Sequence, residues 1–141
     1  MIFRCIFVSL LLLASSRLGA DTTTMQQTHV FSRGQVWTFR LDPTEPPATL
    51  TILRVESLPK LGEVVHISVS AIRMPTGITS VGHLPMSKAA LDRSVIALQR
   101  TEMGIPNLVG YEAWKSAKGG VFTTSVNEAL AFVREAMQRG K

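Results

Sequence analysis

Cysteine is almost missing from this chain. The single one among 141 residues, Cys5, stands ahead of an apolar run near the N-terminus. Beyond that run no disulfide can form, no thiol nucleophile is offered and no thiolate metal site can be built. Paired-histidine spacings and acidic calcium loops are missing as well, and Gly119-Gly120 lacks the Lys-Ser/Thr that a phosphate loop requires. No metal and no cofactor is therefore expected. Charge of one sign never accumulates: Arg33, Arg54, Arg73, Arg100 and Arg134 are dispersed, with no basic run to hold nucleic acid. Nor is any hydrophobic run long. The apolar stretch Ile6–Ala14, broken by Ser9, is about half of the roughly 20 residues that cross a bilayer.

That short run is informative all the same. Arg4 gives it a positive start, and small residues follow it to Gly19-Ala20. This is the order of a secretory signal, so residues 1–20 are expected to be removed, with cleavage after Ala20 or after Ser16. Cys5 precedes the run, whereas a lipid-attachment cysteine would follow it, so a soluble product without stable membrane insertion is expected. Residues 21–30, opening on Asp21-Thr22-Thr23-Thr24, read as a flexible leader that includes a solvent-exposed His29. Residues 31–141 read as one domain. About 120 residues remain after cleavage, enough to bury a core without a staple. Arg4 and Arg17 leave with the signal, so the net charge of +5 falls to about +3.

The first half of the domain reads as strands. Val36-Trp37-Thr38-Phe39 is strongly strand-like, and the prolines of Asp42–Pro47 end it. Thr49–Glu56 is a second strand, with Leu50, Ile52, Leu53 and Val55 apolar. Glu63–Arg73 alternates most clearly: Val65, Ile67 and Val69 point one way, His66, Ser68 and Ser70 the other. Period two with one polar face predicts a sheet covered on one side only. Met74–Met86 reads as a flexible stretch. Ser87 then caps a helix to about Arg100, with Leu91, Val95 and Leu98 on one face. Tyr111–Ala117 is a short helical segment and Val121–Thr124 a brief strand. Ser125 and Glu128 form a capping box for the last helix. The expected class is α+β: an antiparallel meander of three to four strands covered on one face by two longer helices. Whether the sheet stays open or curls into a small barrel is left undecided.

Few residues stand out chemically. His66, with Ser68 and Ser70 on the polar sheet face, allows either a nucleophile–base pair or an ordinary polar surface. His83 lies in Gly82-His83-Leu84-Pro85, just before the helix start capped by Ser87. With Lys88 it forms a candidate anion-binding site, or else simply shapes a connector. Tyr111 and Trp114, three apart, share one face of a helical turn and serve either as binding anchors or as packing.

Several strings taken together resemble an uncharacterised family of small bacterial proteins: Gly34-Gln35-Val36-Trp37-Thr38-Phe39, Leu50–Glu56, Gly62–Val69, Gly82-His83-Leu84-Pro85, Ala90–Ser94 and Gly120–Val126. The resemblance spans residues 31–133 and implies bacterial origin and a periplasmic or extracellular destination. It implies no reaction and no catalytic residues. With no catalytic signature in the chain, the expected role is that of an exported binding or interaction module, contacting an unidentified protein partner through Met74–Met86 and Tyr111–Trp114. Two alternatives stand beside it. One is a small hydrolase or lyase using His83 or His66 as general base, and the other a carrier of a small apolar ligand in a cavity between sheet and helices. The oligomeric state is not fixed by the sequence.

Overall fold

A computed structural model describes residues 27–105 and 108–140. The expected signal, residues 1–20, and most of the expected leader lie outside the described residues. The architecture is α+β, as expected, and the sheet is open. Its strands are β1 (Gln35–Phe39), β2 (Thr49–Leu58), β3 (Gly62–Ser70), β4 (Ser80–Ser87) and β5 (Val95–Thr101). They lie in the order β4-β3-β2-β1-β5, every pairing antiparallel. The first four form a meander, and β5 returns to the free side of β1. Three helices accompany the sheet: α1 (Lys88–Ser94), α2 (Val109–Ser116) and α3 (Val126–Arg139).

One face of the sheet carries the main core. Trp37, Phe39, Leu50, Ile52, Val65 and Ile67 pack with Leu84 and Met86 beneath Leu91 of α1 and Val126 and Leu130 of α3. Each fully buried aliphatic side chain contributes about 1.5–3 kcal/mol. The capping box that starts α3 is complete: Glu128 N–H donates to Ser125 Oγ, and Ser125 N–H donates to the Glu128 carboxylate. Such a cap is worth about 1 kcal/mol. Ser94, 2% exposed, ties α1 to α3, because its hydroxyl donates to Ala90 O and accepts from Val126 N–H.

The structure departs from expectation in five places, each for a physical reason. Met74–Met86 is not simply flexible: after a 3-10 turn at Pro75–Gly77 the chain forms β4 on the outer edge of β3. Gly82 and Pro85 hide that strand in the sequence, yet an edge strand tolerates a proline that cannot donate. The segment expected as Val121–Thr124 reduces to a parallel bridge between Phe122 and Met86, which partly covers that edge. The helix expected to reach Arg100 ends at Ser94, and Val95–Thr101 becomes β5. Leu91 and Val95 are indeed buried, but Leu98 is 47% exposed. The unpaired edge of β1 offers ladder bonds along Val95–Thr101, whose start at Val95-Ile96 is β-branched and suits a strand, and the tertiary pairing overrides the helical stripe. Only α3 is long, since α1 and α2 have seven and eight residues.

The fourth difference concerns cover. The polar face is not free, because Val64 and His66 are wholly buried there and Ser68 is 8% exposed. Tyr111 and Trp114 of α2 lie against the His66 ring, 4.8 and 4.7 Å away by ring centroids. The leader is also partly docked: His29 bonds Asp92 through its backbone N–H (2.8 Å) and its ring (3.2 Å), with its ring edge-on to Trp37. Its side chain is 15% exposed. Among the described residues no helix is long and apolar enough to cross a membrane.

Candidate functional site

A bulge in β2 aims the site. Along β2 the core-facing residues are Leu50 and Ile52, then Val55, so the parity changes within the strand. The register with β3 slips between Ile52 and Arg54, where Leu53 is the extra residue. As a result Arg54 and Glu56 point to the His66 side instead of into the core. On β4 a second slip, between the pairs Ile67↔Leu84 and Val69↔Val81, falls at Gly82-His83. His83, next to the core-facing Leu84, lies on the His66 side by ordinary alternation, and the slip returns Val81 to the core. Bulges re-aim side chains in this way because the extra residue shifts everything beyond it by one pleat.

The aimed residues form a chain of hydrogen bonds. His66 Nε2 lies 2.9 Å from Glu56 Oε1, and His66 Nδ1 lies 2.9 Å from His83 Nε2. The two imidazole planes differ by 15° with centroids 5.1 Å apart. Head-on contact between nitrogens of two nearly coplanar rings gives that separation, so the rings meet edge to edge and are not stacked face on face. Tyr111 OH donates to Glu56 Oε2 at 3.2 Å, and Arg54 Nε donates to the same oxygen at 3.3 Å. The Arg54 guanidinium also stands 4.9 Å from the Tyr111 ring centre.

The environment fixes the charges. Burial alone would raise the Glu56 carboxyl, but hydrogen bonds from His66, Tyr111 and Arg54 outweigh it and hold it below the ordinary carboxylate range. Loss of water lowers His66, which no part of the solvent reaches, against the opposing pull of Glu56. Burial, then the neighbouring His66, lowers His83 to about 4. At neutral pH Glu56 is therefore ionised and both imidazoles are neutral. The tautomers follow: Glu56 accepts from His66 Nε2–H, His66 Nδ1 accepts from His83 Nε2–H, and His83 Nδ1 is left as an outward acceptor.

Above Glu56 lies a cavity of about 290 Å³. Leu58, Pro59 and Leu61 of the β2–β3 hairpin wall one side, and Tyr111 and Trp114 of α2 the other, with Glu56 open to it. The hairpin turns tightly, with Leu61 N–H on Leu58 O, Pro59 at its first corner and Lys60 in the left-handed region (φ 70°) at the second. Trp114 is held by its indole N–H on Gly120 O at 2.8 Å.

Of the residues singled out by sequence, His66, His83, Tyr111 and Trp114 converge here. The others do not. Ser87 accepts from Ala90 N–H as the cap of α1. Lys88 pairs with Asp92 at 2.7 Å and stands over Phe31, so it shares no site with His83. Ser68 and Ser70 make no hydrogen bond to His66, whose two nitrogens are both taken, and Ser70 is exposed. Sequence reasoning missed Glu56 and Arg54. The available signal was the run Ile52-Leu53-Arg54-Val55-Glu56, where two adjacent apolar residues break the alternation and two charges follow on one new face. Among the described residues no group of three His, Cys, Asp or Glu is arranged to hold a metal ion. No protein-family model, no curated protein and no solved structure matches this chain.

Proposed function

We propose that this protein is an exported binding module and that its recognition site is the cavity between α2 and the β2–β3 hairpin. One observation carries the reading. The only side-chain network among the described residues that links the buried His66 and the half-buried His83 to an ionised carboxylate ends at Glu56, which opens into a cavity walled by Tyr111 and Trp114. Binding sites of small molecules combine apolar walls with a few fixed polar groups in this manner, and about 290 Å³ lies near the lower end of their usual volume. The occupant is accordingly a small molecule, which brings the carrier alternative and the binding alternative together. The network makes the site rigid: the Glu56 carboxylate, both His66 nitrogens and the Tyr111 hydroxyl all have partners, so α2 is seated in one position.

The test is a thermal-shift screen of small metabolites against the processed protein, repeated with Leu61→Trp. Leu61 is half exposed, so the indole can enter the cavity from the rim without disturbing the core. Compounds that stabilise the wild type and not the variant support the site. A screen in which every stabilising compound acts equally on both refutes it. Export is tested separately: the N-terminal sequence of protein recovered outside the cytoplasm should begin at Arg17 or Asp21.

A second reading keeps His83 as a general base. It is favoured by the Glu56–His66–His83 relay, which leaves His83 Nδ1 as the proton acceptor. A turnover screen on esters and amides would support it only if His83→Gln removed the activity by about a hundredfold or more.

A further inference from the structure

Resting on the cavity reading, we infer that the ligand is a small organic anion with a flat apolar body, its acid group held at the mouth by Lys115 and Lys118. The walls specify the body. Leu58, Pro59 and Leu61 oppose Tyr111 and Trp114 across the cavity, so a slot between aliphatic and aromatic surfaces accepts a planar ring. The volume admits one such ring system with a head group and little more.

Charge specifies the head. Lys115 and Lys118 both line the cavity, and neither has a carboxylate partner among the described residues. The carbonyls that end α2 do not occupy them either: Ala113 O, Trp114 O and Lys115 O accept from the N–H groups of Ala117, Gly119 and Lys118. Glu56 is the one acid lining the cavity, and its charge is already met by Arg54 and by the donors His66 and Tyr111. The sum over these groups is positive. A cationic ligand would find the Tyr111 ring already occupied by Arg54 and by Lys115, whose ammonium lies 5.8 Å from the ring centre.

Backbone geometry points the same way. Four described residues other than glycine have left-handed backbones: Lys60, Ala71, Thr76 and Lys118. The two lysines among them flank this cavity, one lining it and the other standing between the lining residues Pro59 and Leu61. An L side chain is strained there, so a turn alone would be better served by glycine or asparagine. Lysine at both positions puts one positive charge in the cavity lining, at Lys118, and another in the turn between the lining residues Pro59 and Leu61.

The test uses three probes that share one ring system and differ in charge: naphthoate, naphthalenemethanol and naphthylmethylammonium. Each is titrated into the processed protein at neutral pH and low salt, with tryptophan emission as the signal. Naphthoate should bind about tenfold more tightly than the neutral alcohol, and the ammonium most weakly. In the Lys115→Met, Lys118→Met double variant naphthoate should fall to the affinity of the alcohol, with the alcohol unchanged. Equal affinities for the three, or tightest binding of the ammonium, would overturn the anion inference and leave the cavity as a binding site. Failure of all three to bind folded protein would overturn the cavity reading itself.

Discussion

Gly110→Ala is expected to destabilise the protein, although alanine is the better helix former. Gly110 is the second residue of α2, where it passes over β4. A β-carbon added to it would stand 2.5 Å from His83 Cβ and 3.2 Å from His83 Cγ. Carbon atoms rest at about 3.5–4.0 Å, so the shortfall is about 1 Å. His83 Cβ cannot evade the contact by changing rotamer, since it is fixed to the backbone of a paired strand. The helix must therefore lift. Overpacking of this kind costs about 1–3 kcal/mol, and lifting α2 also strains the Tyr111–Glu56 hydrogen bond, worth about 1 kcal/mol. Against this, alanine in place of glycine returns at most about 1 kcal/mol. The net expectation is a loss of about 1–3 kcal/mol, read as a lower urea midpoint with an unchanged slope. The exposed Ala113→Gly in the same helix calibrates propensity alone and should cost no more than about 1 kcal/mol. Gly110→Ala as stable as the wild type, or more stable, would show that α2 does not ride on His83, and the site built on that seating would fall with it.

Two further outcomes follow from the polar groups. His66 and His83 are both held below their ordinary value of 6.5, so on acidification the unfolded chain takes up protons that the folded chain refuses. Their contribution is intact above about pH 6.5 and declines toward about pH 4, by up to about 1.4 kcal/mol per pH unit for each proton. The depressed Glu56 carboxyl adds a further loss of the same sign at still lower pH. Denaturation midpoints measured across that range should fall with pH and fall less steeply in His83→Gln; a flat profile in the wild type would contradict the neutral pair. Ser94→Ala strands the buried Val126 N–H at the start of α3 and should cost about 1–3 kcal/mol in chemical denaturation, whereas a neutral result would mean that the link between α1 and α3 is not formed.

What the sequence revealed depended on whether local and tertiary preferences agreed. The last helix was legible to the residue at its start because Ser125, Glu128 and the stripe Val126, Ala129, Leu130, Val133 all favour one structure. The β2–β3 hairpin was legible because two strand-like runs flank a Pro-Lys-Leu-Gly turn. Val95–Thr101 was not. Its apolar residues continue the spacing of α1, and only the vacant edge of β1, absent from any local window, makes it a strand. β4 was hidden for the opposite reason, since glycine and proline signal a loop unless the strand lies at an edge. For the site, the histidines and the Tyr111–Trp114 pair were visible as isolated residues. Their convergence was not, because it requires the β2 bulge and the placement of α2 on the second face.

The polar alternation of β3 explains why that second face is buried. A strand with His66 and Ser68 opposite Val65 and Ile67 ordinarily marks a face left to water. Here the imidazole is covered, and covering a polar ring without partners would cost several kcal/mol. The carboxylate partner exists only because Leu53 interrupts the pleat: in a regular strand Glu56 would turn toward the core and away from His66. The bulge thus converts a burial that would be unfavourable into a network in which both His66 nitrogens are bonded, and α2 can close over it with Tyr111 and Trp114. Networks of this kind stabilise less than a well-packed apolar layer of equal volume. Their retention is better explained by what they orient, namely an ionised carboxylate at the floor of a cavity between two aromatic rings and a hairpin, than by the stability they contribute.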